Sequence, residues 1–289
     1  MASFSLSSET TLSSVAIKVK DFDRMLSFYE QVVGFDILRE ENDMAILGNK
    51  EDKQKLLGII STPDGKGEAN NHSGLNHTSF VFPTRNDLAR FMKHLITLNY
   101  PIEGESDHGY CESIYINDPE SNRLEFSWDR PRSEWPLTNG FVKGVTKELN
   151  IQSFLSQVTG DYTGIPKGTK LGHVHLSVSD REDSHDFYRN HLGFMVRDHD
   201  FSSVEFLSVS DYHHQIAFNE WIPSTDHCML KEDELGVDHI TFTLPSMDDL
   251  MALKENLDEL EYEFYFNKGK QIIGVNDPSG IELWFLVAK

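Results

Sequence analysis

The segment from Leu171 to Asp180, LGHVHLSVSD, alternates strictly between hydrophobic and polar positions. Side chains of a strand point to its two faces in turn, so the valines and leucine lie on one face, with His173 and His175 on the other. The following stretch, DREDSHDFYRNHLGF, predicts a helix that begins after Asp180 and ends at Gly193. The pattern therefore predicts a strand with histidines on its polar face, followed by a helix.

The same strand and helix pattern occurs four times, which indicates internal duplication. Residues 12–35 align without a gap to residues 171–194 and share an aspartate, a Phe-Tyr pair and a Gly-Phe pair. Two further strands, at 75–83 and 237–245, are each followed by a helix-like run and close with similar phrases, YINDPESNRLEF and GVNDPSGIELWF. We therefore predict four modules of about fifty residues, each made of a strand, a helix and three strands.

The modules define two halves and a segment between them. Residues 1–128 hold the first two modules and residues 170–289 hold the last two, so we predict two domains. Residues 129–169 contain neither repeated phrase, and NIQSFLSQV within them predicts a short helix between connections that contain Pro and Gly. A linker of that length is unusual within compact domains, and it gives the chain room to pair its modules out of sequence order.

Composition argues against several classes of partner. The 289 residues carry 26 basic and 47 acidic side chains, and the formal charge of −21 opposes binding to nucleic acid or to an anionic membrane surface. The sequence has no apolar run long enough to span a bilayer and no signal-peptide pattern at its start, which predicts a soluble cytoplasmic protein. Its two cysteines, Cys111 and Cys228, indicate neither a disulfide scaffold nor a thiolate zinc site.

The helix ends FYEQVVGF and FYRNHLGF and the closing phrase DPESNRLE resemble the vicinal oxygen chelate superfamily, which includes glyoxalases, antibiotic resistance proteins and extradiol dioxygenases. The length of four modules and the segment YHHQIAF are similar to bacterial two-domain catechol 2,3-dioxygenase-like proteins in particular. The resemblance implies an α+β fold in which four βαβββ modules form two U-shaped mixed sheets. It also implies a divalent metal held by side chains from the first and last strands of a module.

Carried onto this sequence, the family's ligand positions select three residues. The first-strand position is occupied by His77 in module two, by His173 in module three and by His239 in module four. The last-strand position is Glu125 in module two but Trp284 in module four. Pairing modules two and three would bring together two imidazoles and a carboxylate, the ligand set of non-haem Fe(II) oxygenases. We therefore predict that these two modules share a sheet around a metal held by His77, Glu125 and His173.

Modules one and four offer no equivalent ligand set. Module one has Ser14 at its first strand, and Glu282 of module four lies two residues before the ligand position, about 6.6 Å away along a strand. That displacement is too large for a metal bond of about 2 Å. We predict that these modules pair as a metal-free scaffold that holds His239 and Trp284.

The resemblance implies two further site residues. His214 matches the acid-base histidine of the family phrase HDxAF, and Tyr115 in SIYINDP matches a tyrosine that contacts bound substrate. A histidine that titrates near neutral pH can both remove and return a proton, as ring cleavage requires. The family often has a second pocket histidine before this tyrosine. At the nearest matching position this sequence has Tyr110, and His108 lies close by. The roles of His108 and His213 stay open.

Three function classes remain open. The first is an extradiol dioxygenase of aromatic compound catabolism, which would use Fe(II), or else Mn(II) or Zn(II), and act with dioxygen on a catechol-like substrate. The second is a glyoxalase-type lyase or isomerase, which usually needs a fourth protein ligand. The third is a binding or resistance protein that uses the cavity without catalysis. We favour the dioxygenase because of the predicted ligand set, while the substrate and homo-oligomerisation are left open.

Overall fold

Four modules of one strand, one helix and three strands make up the chain, as the repeat predicts. The structure is a computed structural model that describes residues 4–67, 73–198, 203–220 and 229–288. Cys111 is buried, and Cys228 lies outside the described residues. The elements of modules one and two are β1 (Thr11–Val19), α1 (Phe22–Phe28), β2 (Asp36–Glu41), β3 (Met44–Asn49) and β4 (Gln54–Ser61), then β5 (Gly74–Val81), α2 (Arg85–Thr97), β6 (Gly104–Asp107), β7 (Cys111–Asn117) and β8 (Arg123–Asp129).

The linker and the second half of the chain continue the same pattern. The linker contains β9 (Leu137–Thr138), β10 (Phe141–Val142) and α3 (Ile151–Ser156), a short helix within the segment NIQSFLSQV. Modules three and four comprise β11 (Lys170–Ser177), α4 (Arg181–Asp186), β12 (Met195–Asp198), β13 (Glu205–Ser208) and β14 (Ile216–Asn219), then β15 (Gly236–Leu244), α5 (Met247–Glu259), β16 (Tyr265–Asn267), β17 (Ile272–Asn276) and β18 (Glu282–Val287).

Local sequence signals set the bounds of the helices. The side chain that precedes each module helix accepts a hydrogen bond from a backbone N–H in the first turn, and these caps are Asp21, Thr84, Asp180 and Ser246. In module three, a π-helical turn, Phe187–His191, follows α4, and Gly193 ends the segment at φ 74°. A Cβ on Gly193 would lie 2.5 Å from the Cα of Ser5, so glycine is required there. The predicted start at Asp180 and end at Gly193 are confirmed.

Within the described residues, the strands form two mixed sheets of eight strands each and one short hairpin. Modules two and three supply one sheet, in the order β12-β13-β14-β11-β5-β8-β7-β6, and modules one and four supply the other, in the order β16-β17-β18-β15-β1-β4-β3-β2. The first and last strands of a module pair in parallel, as β5 with β8, β11 with β14 and β15 with β18. The prediction that modules two and three share a sheet is therefore confirmed.

Aromatic side chains form much of the core. The helical residues Phe28, Tyr29, Phe187 and Tyr188, which the pattern predicts to be core, are at most 5% exposed. Between the first and last strands, Phe80 stacks on Phe126 and Phe242 stacks on Phe285, each pair with ring centroids 5.5 Å apart. Such buried pairs stabilise one register between the two strands. That register fixes which polar residues face each other on the opposite side of the sheet.

The chain divides into two compact units. One contains residues 18–65 and 77–172, and the other contains residues 1–17, 66–76 and 173–289. In the first unit the linker is attached to α2, because Asn86 Nδ2 donates to the carbonyl of Thr159 at 3.1 Å and Asn86 Oδ1 accepts from the Thr159 amide at 3.0 Å. No helix within the described ranges is long and apolar enough to cross a membrane.

In each unit a buried tyrosine is hydrogen-bonded to a buried aspartate. The Tyr29 hydroxyl donates to Asp118 Oδ2 at 2.8 Å, and the Tyr188 hydroxyl donates to Asp277 Oδ2 at 2.9 Å. Each aspartate belongs to a closing phrase, and its Oδ1 accepts two backbone N–H groups in the turn before the last strand. Burial raises the pKa of both carboxyl groups to about 6, because the charged form loses its hydration.

We expect these two carboxyl groups to make the free energy of unfolding fall as the pH rises. Since their pKa is raised in the folded chain, the folded state binds more protons than the unfolded state between about pH 4 and about pH 6. Their stabilising contribution is therefore full below about pH 4 and lost above about pH 6, with a size of about 3 kcal/mol for each group.

Denaturant unfolding of the metal-free chain across this pH range measures the effect. The double variant Asp118→Asn/Asp277→Asn should lose most of the downward slope, whereas Asp64→Asn, at an exposed aspartate, should keep it. A double variant with the same slope as the wild type would show that other groups cause the pH dependence.

Candidate metal centre

Residues on β5 and β8 bring a histidine and a carboxylate together. In the parallel register His77 lies opposite Arg123, and Ser79 lies opposite Glu125. His77 Nε2 is 3.2 Å from Glu125 Oε2, and the two side chains are 10% and 2% exposed. Ser113 on the neighbouring strand β7 donates its hydroxyl hydrogen to the other carboxylate oxygen, Oε1, at 2.6 Å. The Glu125 carboxylate is thus oriented, with one oxygen directed to His77.

His173 completes a set of three, which we call the triad. One ligand-capable atom from each of His77, Glu125 and His173 lies within 4.8 Å of the other two, and all three residues are buried. Across the described ranges, the triad is the group of His, Cys, Asp and Glu side chains that meets this spacing. Donors that share one ion at about 2 Å lie roughly 3 to 4 Å apart, so small side-chain adjustments suffice. Two imidazoles and a carboxylate fit Fe(II), Mn(II) or Zn(II).

His239 lies outside the triad. It is opposite Glu282 in the β15–β18 register, so Trp284, two residues later, takes the place that Glu125 has in module two. His239 Nδ1 is 2.7 Å from Asp238 Oδ2, and its ring stacks on Trp284 with centroids 3.9 Å apart and an angle of 13°. An indole ring therefore stands where a metal ligand would be needed.

His214 lies against His173, just before β14. The two ring centroids are 4.2 Å apart, and Phe206 packs on His214 at 4.8 Å. His213 Nδ1 and His214 Nδ1 are 2.9 Å apart, so one of these nitrogens carries a proton and donates it to the other. The Tyr212 ring lies 4.0 Å from that of His213. These contacts hold the His214 imidazole beside a triad residue.

Tyr115 lies beside His77 and opposite Glu125. The Tyr115 and His77 ring centroids are 6.1 Å apart, and Tyr115 pairs with Glu125 in the β7–β8 register. The guanidinium carbon of Arg123 lies 4.9 Å from the centre of the Tyr115 ring. Burial raises the pKa of the Tyr115 phenol well above its ordinary value, and the negative Glu125 adds to the shift. The phenol therefore keeps its proton.

Sequence reasoning left the role of His108 open and missed Ser113. His108 Nε2 lies 2.9 Å from the Tyr115 hydroxyl oxygen, while Tyr110, the residue at the nearest family register, stacks on the His108 ring at 6.0 Å. His108 lies in a turn, where no periodicity assigns a face. Ser113 could have been found, because it shares a face of β7 with Tyr115 at a spacing of two residues.

The chain is similar to known proteins over most of its length. Residues 11–126 and 170–285 match the family model described as the Glyoxalase/Bleomycin resistance protein/Dioxygenase superfamily. Over 288 residues the chain is 28% identical to the Catechol-2,3-dioxygenase of Bacillus subtilis (strain 168), an alignment that covers 98% of this chain and 99% of the relative.

Solved structures show the same fold. A crystal structure from Bacillus subtilis subsp. subtilis str. 168 superposes with a TM-score of 0.69 and 13% identity, covering 98% of this chain and 86% of that one. Glyoxalase I from Zea mays superposes with a TM-score of 0.57 and 15% identity, covering 96% and 92%. At such identities the likeness concerns the fold alone, so function has to be argued from the site.

Proposed function

Because the chain belongs to the Glyoxalase/Bleomycin resistance protein/Dioxygenase superfamily, we propose that it is a metal-dependent extradiol dioxygenase that cleaves a catechol-like ring. The observation that carries the proposal is the buried triad of two imidazoles and one carboxylate. This is the donor set of non-haem Fe(II) oxygenases, which leave coordination positions open for substrate and dioxygen. The name of the Bacillus relative, which aligns over almost the whole chain, supports the same reaction.

We assign the metal to His77, Glu125 and His173, with Fe(II) as the expected ion. When bound, such an ion would supply Lewis-acid and redox chemistry for a reaction between a catechol and dioxygen. The protein's part is to hold the three donors in place. Ser113 contributes by fixing one oxygen of the Glu125 carboxylate, since orientation of ligands by hydrogen bonds tunes a metal site.

The reaction also needs proton transfer, which the chain itself supplies. Extradiol cleavage breaks the C–C bond beside one of the two hydroxylated carbons and places both atoms of dioxygen in the product, with the ring supplying all of the electrons. A hydroxyl proton must leave the substrate and a proton must be returned as the ring opens. His214 is the group we assign to both transfers, because an imidazole can act as base and then as acid near neutral pH. Tyr115 is the group we assign to hydrogen bonding with a substrate oxygen.

Oxygen uptake by the metal-loaded chain tests the proposal. The full-length chain is made metal-free, loaded anaerobically with Fe(II), Mn(II) or Zn(II), and given catechol, 3-methylcatechol or 2,3-dihydroxybiphenyl. We expect the Fe(II) protein to consume dioxygen in amounts equal to the catechol and to form a yellow ring-fission product. The Zn(II) protein should remain inactive, because zinc has no redox chemistry.

Three other outcomes would contradict the proposal. A protein that holds stoichiometric Fe(II) but consumes no dioxygen with any of these catechols is not this kind of dioxygenase. Isomerisation of a glutathione hemithioacetal by the Zn(II) protein, in place of oxygen uptake, would favour the glyoxalase class. Failure to retain any of the three metals would favour a binding protein without catalysis.

A further inference from the structure

His108 lies in the turn between β6 and β7, and both of its ring nitrogens have a partner. Nδ1 is 3.0 Å from the backbone carbonyl oxygen of Val145, and Nε2 is 2.9 Å from the hydroxyl oxygen of Tyr115. A carbonyl oxygen can only accept, so Nδ1 carries a proton. In a neutral imidazole Nε2 is then an acceptor, and the Tyr115 hydroxyl must donate its one hydrogen to it.

The linker holds this arrangement in place through the backbone. The Val145 amide donates to the His108 carbonyl at 3.1 Å, and Asp107 and Lys147 exchange backbone hydrogen bonds of 2.8 and 3.0 Å. The turn is also closed by the Gly109 amide, which donates to Asp107 Oδ1 at 2.8 Å. The Val145 carbonyl is therefore held by a short antiparallel backbone pairing, and its position does not depend on the rotation of a side chain.

We infer that His108 is a positioning residue that sets the direction of hydrogen bonding at Tyr115, and that the Val145 carbonyl of the linker selects the tautomer of His108. The inference rests on the proposed function, in which Tyr115 contacts the substrate. With its hydrogen directed to His108, the Tyr115 oxygen acts as an acceptor. A substrate group that binds Tyr115 must therefore carry a hydrogen, as a protonated hydroxyl of a catechol does and a fully ionised catecholate does not.

The tautomer can be observed without any enzymatic activity. Long-range nitrogen-15 to proton correlation spectra of the metal-free full chain, recorded at about pH 8 where ordinary imidazoles are neutral, distinguish the two ring nitrogens. The signals that disappear in His108→Gln identify the residue. We expect His108 to carry its proton on Nδ1. A His108 ring protonated on Nε2 alone would overturn the inference, whatever reaction the protein catalyses.

Ligand affinity tests the positioning role. Dissociation constants of catechol for the Zn(II)-loaded full chain are measured for the wild type, Tyr115→Phe, His108→Leu and the double variant. We expect each single variant to bind catechol about 3- to 10-fold more weakly, the loss of one hydrogen bond. The double variant should bind no more weakly than Tyr115→Phe, because His108 acts through the Tyr115 hydroxyl.

Matched variants separate positioning from a merely structural role. His108→Gln, whose side-chain oxygen can accept the Tyr115 hydrogen, should restore most of the affinity, and His185→Leu, at a histidine on α4, should have no effect. If His108→Leu does not fold, His108→Asn replaces it, because its amide can keep the bond to Val145 but is too short to reach Tyr115.

The outcomes distinguish this inference from the proposed function. Wild-type affinity in His108→Leu or His108→Asn, or additive losses in the double variant, would overturn the inference and leave the dioxygenase proposal standing. Failure of the wild-type Zn(II) protein to bind catechol at all would overturn both.

Discussion

Alanine in place of His77, Glu125 or His173 should remove stoichiometric metal binding, with the affinity falling by more than about 100-fold. Loss of a group that only hydrogen-bonds to a metal ligand typically costs about 10- to 100-fold. A ligand contributes more to metal affinity than a group that hydrogen-bonds to it. The proposed site has three protein ligands, with donor atoms within 4.8 Å of one another, so the loss of any one leaves only two. Metal content after anaerobic Fe(II) loading and dialysis, followed by competition against a chelator, measures the loss.

Two further variants make this a graded test. Ser113→Ala should cost about 10- to 100-fold in metal affinity, because it removes the hydrogen bond to Glu125 Oε1 but leaves every ligand in place. His239→Ala should leave the affinity unchanged, since its ring stacks on Trp284 and lies outside the triad. If His239→Ala lost its metal while His173→Ala kept it, the metal site would lie elsewhere and the triad assignment would be refuted.

The fold could be predicted from the sequence because it follows from a repeat, and the triad because the ligand positions implied by the family resemblance fall on that repeat. The four modules carry the same strand and helix pattern, and period two assigns His77 and Glu125 to one face of their strands. The structure places Ser79 opposite Glu125, and the equivalent pair in module four gives Trp284 the same position. The uneven distribution of ligand-capable residues among the modules then singled out modules two and three, and the strand order agrees.

The surroundings of the triad could not be predicted in the same way. His108 finds one partner seven residues later on β7 and another in the linker, and the second is a backbone carbonyl, which any residue type supplies. The contact between His213 and His214 depends on side-chain rotation next to a strand, which period two does not describe. Contacts of this kind become visible only once the backbone is placed.

One feature of the linker was accessible but missed. The segment LTNGFV forms the hairpin of β9 and β10, and its central residues Asn139 and Gly140 have φ angles of 54° and 84°. An Asn-Gly pair between strand-forming residues is the strongest short-range signal for a hairpin, because both residues of a type I′ turn need positive φ. Sequence reasoning treated this stretch as connection. It precedes the backbone pairing that holds the Val145 carbonyl against His108.

His214 is the residue on which the proposed chemistry depends most, apart from the triad. Its ring lies 4.2 Å from that of His173 and is 4% exposed, so it is held close to a triad residue within the core. In the proposed reaction it moves protons, whereas substrate affinity depends on the metal and on Tyr115. Turnover and binding should therefore respond differently when His214 is removed.

His214→Ala should lower kcat by about 100- to 10,000-fold, the factor that proton transfer by a positioned side chain supplies, while the affinity for catechol changes little. Steady-state oxygen consumption by the Fe(II)-loaded protein gives the first quantity, and anaerobic titration with catechol gives the second. Metal content has to equal that of the wild type, because His214 packs on a triad residue. His175→Ala is the matched control, since His175 lies on the same strand as His173 and its Nε2 is 2.9 Å from Asn219 Oδ1. Full activity in His214→Ala, or parallel losses of turnover and affinity, would remove the acid-base role from His214 and leave the triad assignment intact.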